Sequence, residues 1–160
     1  MCTRSADRTS GLKVIDEQSK EKLEIQAKMV VNATGVFADK ILQMDNPGAP
    51  KTIQPSQGIH LVMDLDFLGG KDALMIPKTR DGRVLFAVPW HGKLVVGTTD
   101  TLREKAKLEP EALQKEIDFV LETASGYLTK KPTRADVKAV FAGLIHINFF
   151  SVLFQNRNIF

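Results

Sequence analysis

Short segments of the chain carry side chains able to do chemistry. His60 stands in Gly58-Ile59-His60-Leu61-Val62, where strict alternation puts the imidazole on the opposite face from Ile59 and Leu61 and on the same face as Val62. An imidazole on a half-buried sheet face is either a hydrogen-bonded core residue or a proton acceptor suited to neutral pH. Gly97-Thr98-Thr99-Asp100 closes another strand-like run with two hydroxyls and a carboxylate. Such groups hydrogen-bond a polar ligand or, equally, form a strand-terminal turn. Ala33-Thr34-Gly35 follows the continuous apolar run Met29-Val30-Val31. Open α/β sheets hold ligands at the carboxyl end of such strands, and glycine there lets a backbone approach a phosphate or sugar. An ordinary β-to-α turn needs the same glycine. His91 belongs to a turn and His146 to the tail, so no metal triad is suggested by spacing.

Periodicity supplies the elements that must carry these residues. Leu12 to Ile15 and Leu23 to Ala27 read as a hairpin with a solvated tip. Met29 to Val31 predicts a buried strand, followed by a tight turn and a short helix over Phe37 to Gln43. Asp45 to Pro55, with Pro47, Pro50 and Pro55, is a loop. Beyond it Gly58 to Asp64, Ala73 to Pro77, Val84 to Trp90 and Leu94 to Thr99 are β-branched or aliphatic runs, the signature of an antiparallel meander. Asp81-Gly82 suits a type I′ hairpin, and His91-Gly92 a second tight reversal. Glu109-Pro110 begins a helix whose apolar face is Leu113, Ile117, Val120 and Leu121 and which stops near Gly126. Asp136 to Phe141 reads as one more strand. Strands and a helix around an antiparallel sheet make the class α+β.

Composition narrows the function. The 160 residues carry 22 basic and 19 acidic side chains, a net charge of +3, with the signs alternating along solvated faces. Nucleic acid is not an expected partner, because the one Trp and one Tyr lie outside any basic run. A single cysteine, Cys2, excludes an internal disulfide framework and fits a reducing, cytoplasmic compartment. No apolar stretch reaches the roughly 18 residues of a membrane span, so at most peripheral membrane association is expected.

Five segments in order resemble FAD-dependent glycerol-3-phosphate dehydrogenases of the D-amino-acid-oxidase-like flavoprotein superfamily. They are Lys28-Met-Val-Val-Asn-Ala-Thr-Gly-Val-Phe-Ala-Asp39, Ser56-Gln-Gly-Ile-His-Leu-Val62, Val88-Pro-Trp90, Gly97-Thr-Thr-Asp100 and Val140-Phe-Ala-Gly-Leu144. The resemblance implies oxidation of glycerol 3-phosphate to dihydroxyacetone phosphate with FAD as cofactor. Electrons would leave to a quinone or other electron acceptor, with the full-length protein peripheral on the inner face of a membrane. It further implies that Ala33, Thr34 and Gly35 lie beside the FAD. Ser56, Gly58, Thr98 and Thr99 would contact the cofactor from the sheet, His60 would take the C2 hydroxyl proton, and Asp100 would orient a neighbour. On this reading residues 1–55 are a strand-turn-helix remnant of the FAD-binding domain. Residues 56–144 are the substrate-side antiparallel sheet with a helix near 110–125, and 145–160 are an atypical tail.

The sequence also departs from the family. No Gly-x-Gly-x-x-Gly turn occurs in the 160 residues, and Gly143-Leu144 is followed by Ile145-His146 where the family has Arg-Pro. The tail Ile145 to Phe160 is rich in Ile, Asn and Phe, has no acidic residue and reads as a frameshift or read-through product, against a lineage-specific ending. The chain is therefore expected to be a fragment, inactive in isolation. The alternatives are a non-catalytic binding module and a different flavoenzyme of the same superfamily.

Overall fold

The computed structural model describes residues 2–5, 8–77 and 79–148, and the chain divides into two compact units. The first comprises Met1–Gln54 with His146–Phe160. Its sheet is antiparallel, in the order β1 (Cys2–Ser5), β2 (Arg8–Ile15), β3 (Lys22–Gln26). The tip between β2 and β3 is closed by Asp16, whose carboxylate accepts the N–H groups of Gln18 and Ser19 at 2.7 and 3.1 Å. The expected hairpin is therefore present. The expected buried strand at Met29 to Val31 is not: residues 27–34 form no strand, and Met29 and Val31 are 77% and 76% exposed. A continuous apolar run becomes a buried strand only with a neighbour on each edge and cover on both faces, and among the described residues none lies beside it.

Helix α1 (Ala38–Asp45) follows a 3₁₀ turn at Gly35–Phe37. Asp39 on α1 holds the next loop, accepting the Thr52 and Ile53 N–H groups at 2.8 and 2.9 Å and the Thr52 hydroxyl at 2.7 Å. Partial burial works to raise the pKa of this carboxyl. The Thr52 hydroxyl and the two N–H donors outweigh it and hold the group below its ordinary value. A depressed carboxylate stabilises the fold above its unfolded pKa and loses that contribution as pH falls through the folded one. Asp39→Ala should cost about 1 kcal/mol at neutral pH, the low end for a charged hydrogen-bonding group that keeps contact with water. Urea midpoints of parent and variant should converge on acidification. A gap that persists unchanged to the acid limit would contradict this account.

The second unit, Pro55–Ile145, contains one layer of sheet and one helix. Its strands are β4 (Ile53–Asp64), β5 (Leu74–Ile76), β6 (Leu85–Trp90), β7 (Lys93–Gly97), β8 (Thr101–Leu102) and β9 (Ala139–Asn148). They lie in the order β5-β6-β7-β4-β8, with β9 also paired to β4, so the expected meander holds only from β5 to β7: β4 pairs with β7 and not with β5, its neighbour in sequence. The β6–β7 reversal is a type I′ turn, with φ of 46° at His91 and 73° at Gly92. The β5–β6 loop is not, because only Gly82 of the Asp81-Gly82 pair has positive φ. Thr79 instead accepts the Gly82 N–H at 3.0 Å and donates to Arg83 at 2.8 Å, the pattern of a type I turn closed by a glycine bulge.

Helix α2 (Gln114–Ser125) begins four residues later than Pro110 suggests and ends at Gly126 as expected. Its start is set by Glu116, whose carboxylate reaches back to the Leu113 N–H at 2.8 Å. Ile117, Val120, Leu121 and Ala124 recur at helical spacing and are buried against Ile59, Leu61, Met63, Leu85, Leu94 and Val96 of the sheet. The last strand starts at Ala139, because Arg134–Asp136 form a 3₁₀ turn closed by Asp136 on the Thr133 N–H and hydroxyl. It runs past Leu144 through the first residues of the tail, and 149–160 lie outside the described residues.

Candidate functional site

Alternation along β4 divides the sheet into a packed face and an open one. Gln57, Ile59, Leu61 and Met63 are buried towards α2, so Ser56, Gly58, His60 and Val62 point the other way. Registers then place one row of residues across the open face. Met75 pairs with Phe86, Phe86 with Gly97, Gly97 with His60, and the His60 ring stacks on Phe141 of β9 at 5.0 Å between centroids and 14° between planes. Met75, Phe86 and Phe141 are 57%, 44% and 51% exposed, and Trp90, further along β6, is 63% exposed. The strip is flat, apolar and uncovered within this unit, with one imidazole near its middle.

Gly97 makes the seat for that imidazole. A Cβ at this position would lie 2.5 Å from His60 Cδ2 and 2.6 Å from the Ile59 carbonyl oxygen. The ring is thus held between a bare backbone on one side and an aromatic face on the other. Partial burial lowers its pKa below the ordinary imidazole value of 6.5, so it is neutral at pH 7 with a free lone pair. Neither ring nitrogen has a hydrogen-bond partner among the described residues; the ring's contact is the stack on Phe141.

Beyond Gly97, β7 and β8 run along the same edge of β4. His60 faces Gly97, whereas Gln57 faces Thr101, so residues 98–100 oppose only Gly58 and Ile59 and form a bulge. Gly58 accommodates it, since a Cβ there would meet Thr98 Oγ1 at 2.5 Å. Thr99 turns inward: its hydroxyl accepts the Ile59 N–H at 3.1 Å and donates to Glu116 at 3.3 Å. Asp100 accepts a hydrogen bond from the Ser56 hydroxyl, and its carbonyl accepts one from Arg83 at 3.1 Å. Arg83 is itself paired with Asp81 and lies over the Phe119 ring at 4.7 Å. These contacts place Asp100 beside Ser56, four residues from His60 or roughly 13 Å along a strand. Asp100 therefore orients Ser56, and no His60–Asp100 dyad forms.

The sites inferred from sequence thus fall into separate groups. Ser56, Thr99 and Asp100 use their polar side-chain atoms on partners within the protein. His60 and Gly58 lie on the open face. Ala33, Thr34 and Gly35 belong to the other unit, in an exposed loop where the Thr34 hydroxyl donates to Asn32 at 2.8 Å and the Asn32 amide to the Ala38 carbonyl at 2.9 Å. Gly35 has φ of 56°, with nothing within 4 Å of where a Cβ would stand. Phe141, Gln57 and Glu116 escaped sequence reasoning. The alternation of Phe141 with Ala142 was a usable signal for the first, but the others are polar residues whose burial no local pattern announces.

The fold is that of a flavin-dependent oxidoreductase domain, and the chain belongs to the FAD dependent oxidoreductase family, whose model matches residues 3–156. That match extends beyond Leu144, the end of the last of the five resembling segments, into the tail that composition reads as a frameshift or read-through product. The similar proteins are glycerol-3-phosphate dehydrogenases. The mitochondrial enzyme SDP6 of Arabidopsis thaliana is 37% identical over 137 residues, which are 86% of this chain and 22% of that protein. The mitochondrial enzyme of Homo sapiens is 35% identical over 139 residues, 86% of this chain and 19% of that protein. The X-ray structure of the Bacillus halodurans glycerol-3-phosphate dehydrogenase complexed with FAD superposes with a TM-score of 0.85 at 30% identity, over 91% of this chain and 30% of the other. The chain spans about a fifth of the length of the curated relatives it matches. Among the described residues no helix is long and apolar enough to cross a membrane.

Proposed function

We propose that this chain is the substrate-side portion of an FAD-dependent enzyme that oxidises sn-glycerol 3-phosphate to dihydroxyacetone phosphate. The observation that carries the reading is the neutral His60 imidazole seated between Gly97 and Phe141 on an open apolar sheet face. The row Met75, Phe86, Gly97 and Phe141 fits a planar ring, because it offers apolar area without a protruding side chain at Gly97. FAD, when bound, would supply the acceptor for the hydride from C2 of the alcohol. His60 takes the hydroxyl proton, so the substrate loses two electrons and two protons and becomes the ketone. Gly58 keeps the face low beside the imidazole, and the Ser56–Asp100 pair with Thr98 and Thr99 fixes the end of the strip. Ala33, Thr34 and Gly35 are the cofactor-facing loop of the other unit.

The same reading gives a quinone or other electron acceptor, and peripheral attachment of the whole protein to the inner face of a membrane. The relatives named above from plant and human are mitochondrial by name, so fractionation would decide between that compartment and the cytoplasm. The isolated 160-residue chain is proposed to be inactive, since it contains no Gly-x-Gly-x-x-Gly cradle for the pyrophosphate. A hybrid in which residues 55–144 replace the matched segment of the Bacillus halodurans enzyme, so that the Arg-Pro of the family follows Leu144, tests the reading. The hybrid should bind FAD and its flavin should bleach on anaerobic addition of glycerol 3-phosphate, while the isolated chain with added FAD reduces no dye. A hybrid that holds FAD but is not reduced by this substrate would overturn the assignment. Dye reduction by the isolated chain would overturn its inactivity.

A further inference from the structure

Glu116 is the most deeply buried acidic side chain outside the open face, at 2% exposure. Its carboxylate receives the Gln57 amide at 2.8 Å, the Leu113 N–H at 2.8 Å and the Thr99 hydroxyl at 3.3 Å, and among the described residues no cation forms an ion pair with it. Gln57 is fixed a second time, by the Glu111 carbonyl at 2.9 Å. The Arg83 guanidinium feels its charge without pairing with it, and since burying a carboxyl group is costly, an apolar residue of similar volume is often as stable or more so. A polar group kept in such a place therefore calls for a geometric reason.

Its partners supply one. Thr99 is the inward-pointing residue of the 98–100 bulge, and its hydroxyl also holds the Ile59 N–H, in the peptide that joins Gly58 to Ile59 next to His60. The bulge begins directly after Gly97, against which the His60 ring rests, and it carries Asp100, which holds Ser56. From the packed side of the sheet, one carboxylate thus fixes the backbone next to Ser56, Gly58 and His60. We propose that Glu116 is a positioning residue: acting through Thr99 and Gln57, it sets the 98–100 bulge and thereby the placement of Ser56, Gly58 and His60. The inference deepens the flavoenzyme reading above and rests on it for its purpose.

NMR of the full 160-residue chain, without flavin or substrate, tests it. A failed test leaves the flavoenzyme reading standing, and failure of the hybrid enzyme leaves this geometry standing. In Thr99→Val and Glu116→Gln the Ile59 amide should exchange roughly 2–10-fold faster, the equivalent of one hydrogen bond, while the Leu61 and Val96 amides keep their rates. The His60 and Phe141 ring resonances should move together, and Thr99→Ser should restore them. A uniform rise in exchange across the sheet would reduce Glu116 to an ordinary core residue. So would a folded Thr99→Val variant with parental His60 and Phe141 resonances. Loss of the folded spectrum in both variants would equally overturn the proposal, because a positioning role leaves the fold intact.

Discussion

Replacing His60 with glutamine in the hybrid enzyme should lower kcat by about 10²–10⁴-fold, the range for removing a general base, while the bound-flavin spectrum stays unchanged. Glutamine keeps a hydrogen-bonding group of similar reach but cannot accept a proton at neutral pH. The expected pH dependence follows from the environment of the ring. Partial burial disfavours the imidazolium, so the His60 pKa lies below the ordinary 6.5 and the base remains neutral further into acid. The acid limb of kcat/KM, which reports the free enzyme, should therefore fall below that value in the parent hybrid and be absent from His60→Gln. A loss of less than about tenfold, or a limb that survives the substitution, would assign the proton to another group.

What the sequence disclosed and what it withheld follow the range of the forces involved. The meander from β5 to β7 was legible because alternation and the His91-Gly92 turn are local, and the structure gives both hairpin strands and the type I′ geometry, whereas the placing of β4 beside β7 is a long-range pairing that no local pattern announces. The facing of His60 opposite Ile59 and Leu61 followed from the same period of two. Met29 to Val31 misled for the complementary reason. Hydrophobicity states that a segment wants cover, whereas its neighbours decide whether cover exists, and Val31 is 76% exposed. The Asp81-Gly82 turn type depended on a single φ that either of two turn families permits. The site beyond His60 was least legible of all. Gln57 is separated from Glu116 by 59 residues, and Ile59 from Thr99 by 40, so the first hydrogen bond arises only once α2 packs on the sheet and the second only once β7 lies along β4. The resemblance marked Thr99 and Ser56 as belonging to the site. Packing shows that their hydroxyls act on the protein itself.

Gly97→Ala should destabilise the chain by roughly 2–3 kcal/mol, the upper part of the overpacking range, and lower Tm by about 4–12 °C. The added methyl would meet His60 Cδ2 at 2.5 Å and the Ile59 carbonyl oxygen at 2.6 Å. The first clash involves a ring that can swing aside only by leaving Phe141. The second involves the backbone of the neighbouring strand, which cannot retreat without breaking the β4–β7 ladder at the His60–Gly97 pair. Gly58→Ala is the informative comparison, since its methyl would meet Thr98 Oγ1 at 2.5 Å but its nearest backbone atom, the Thr99 carbonyl oxygen, only at 3.1 Å. A threonine side chain can rotate, so that change should cost nearer 1 kcal/mol, the lower part of the same range. Combining Gly97→Ala with His60→Ala should recover part of the loss and no more, because the Ile59 carbonyl remains in place. Thermal melts of the four proteins check the order. Equal costs at the two glycines, or full recovery in the double variant, would show that the imidazole seat is not made by the bare backbone at Gly97.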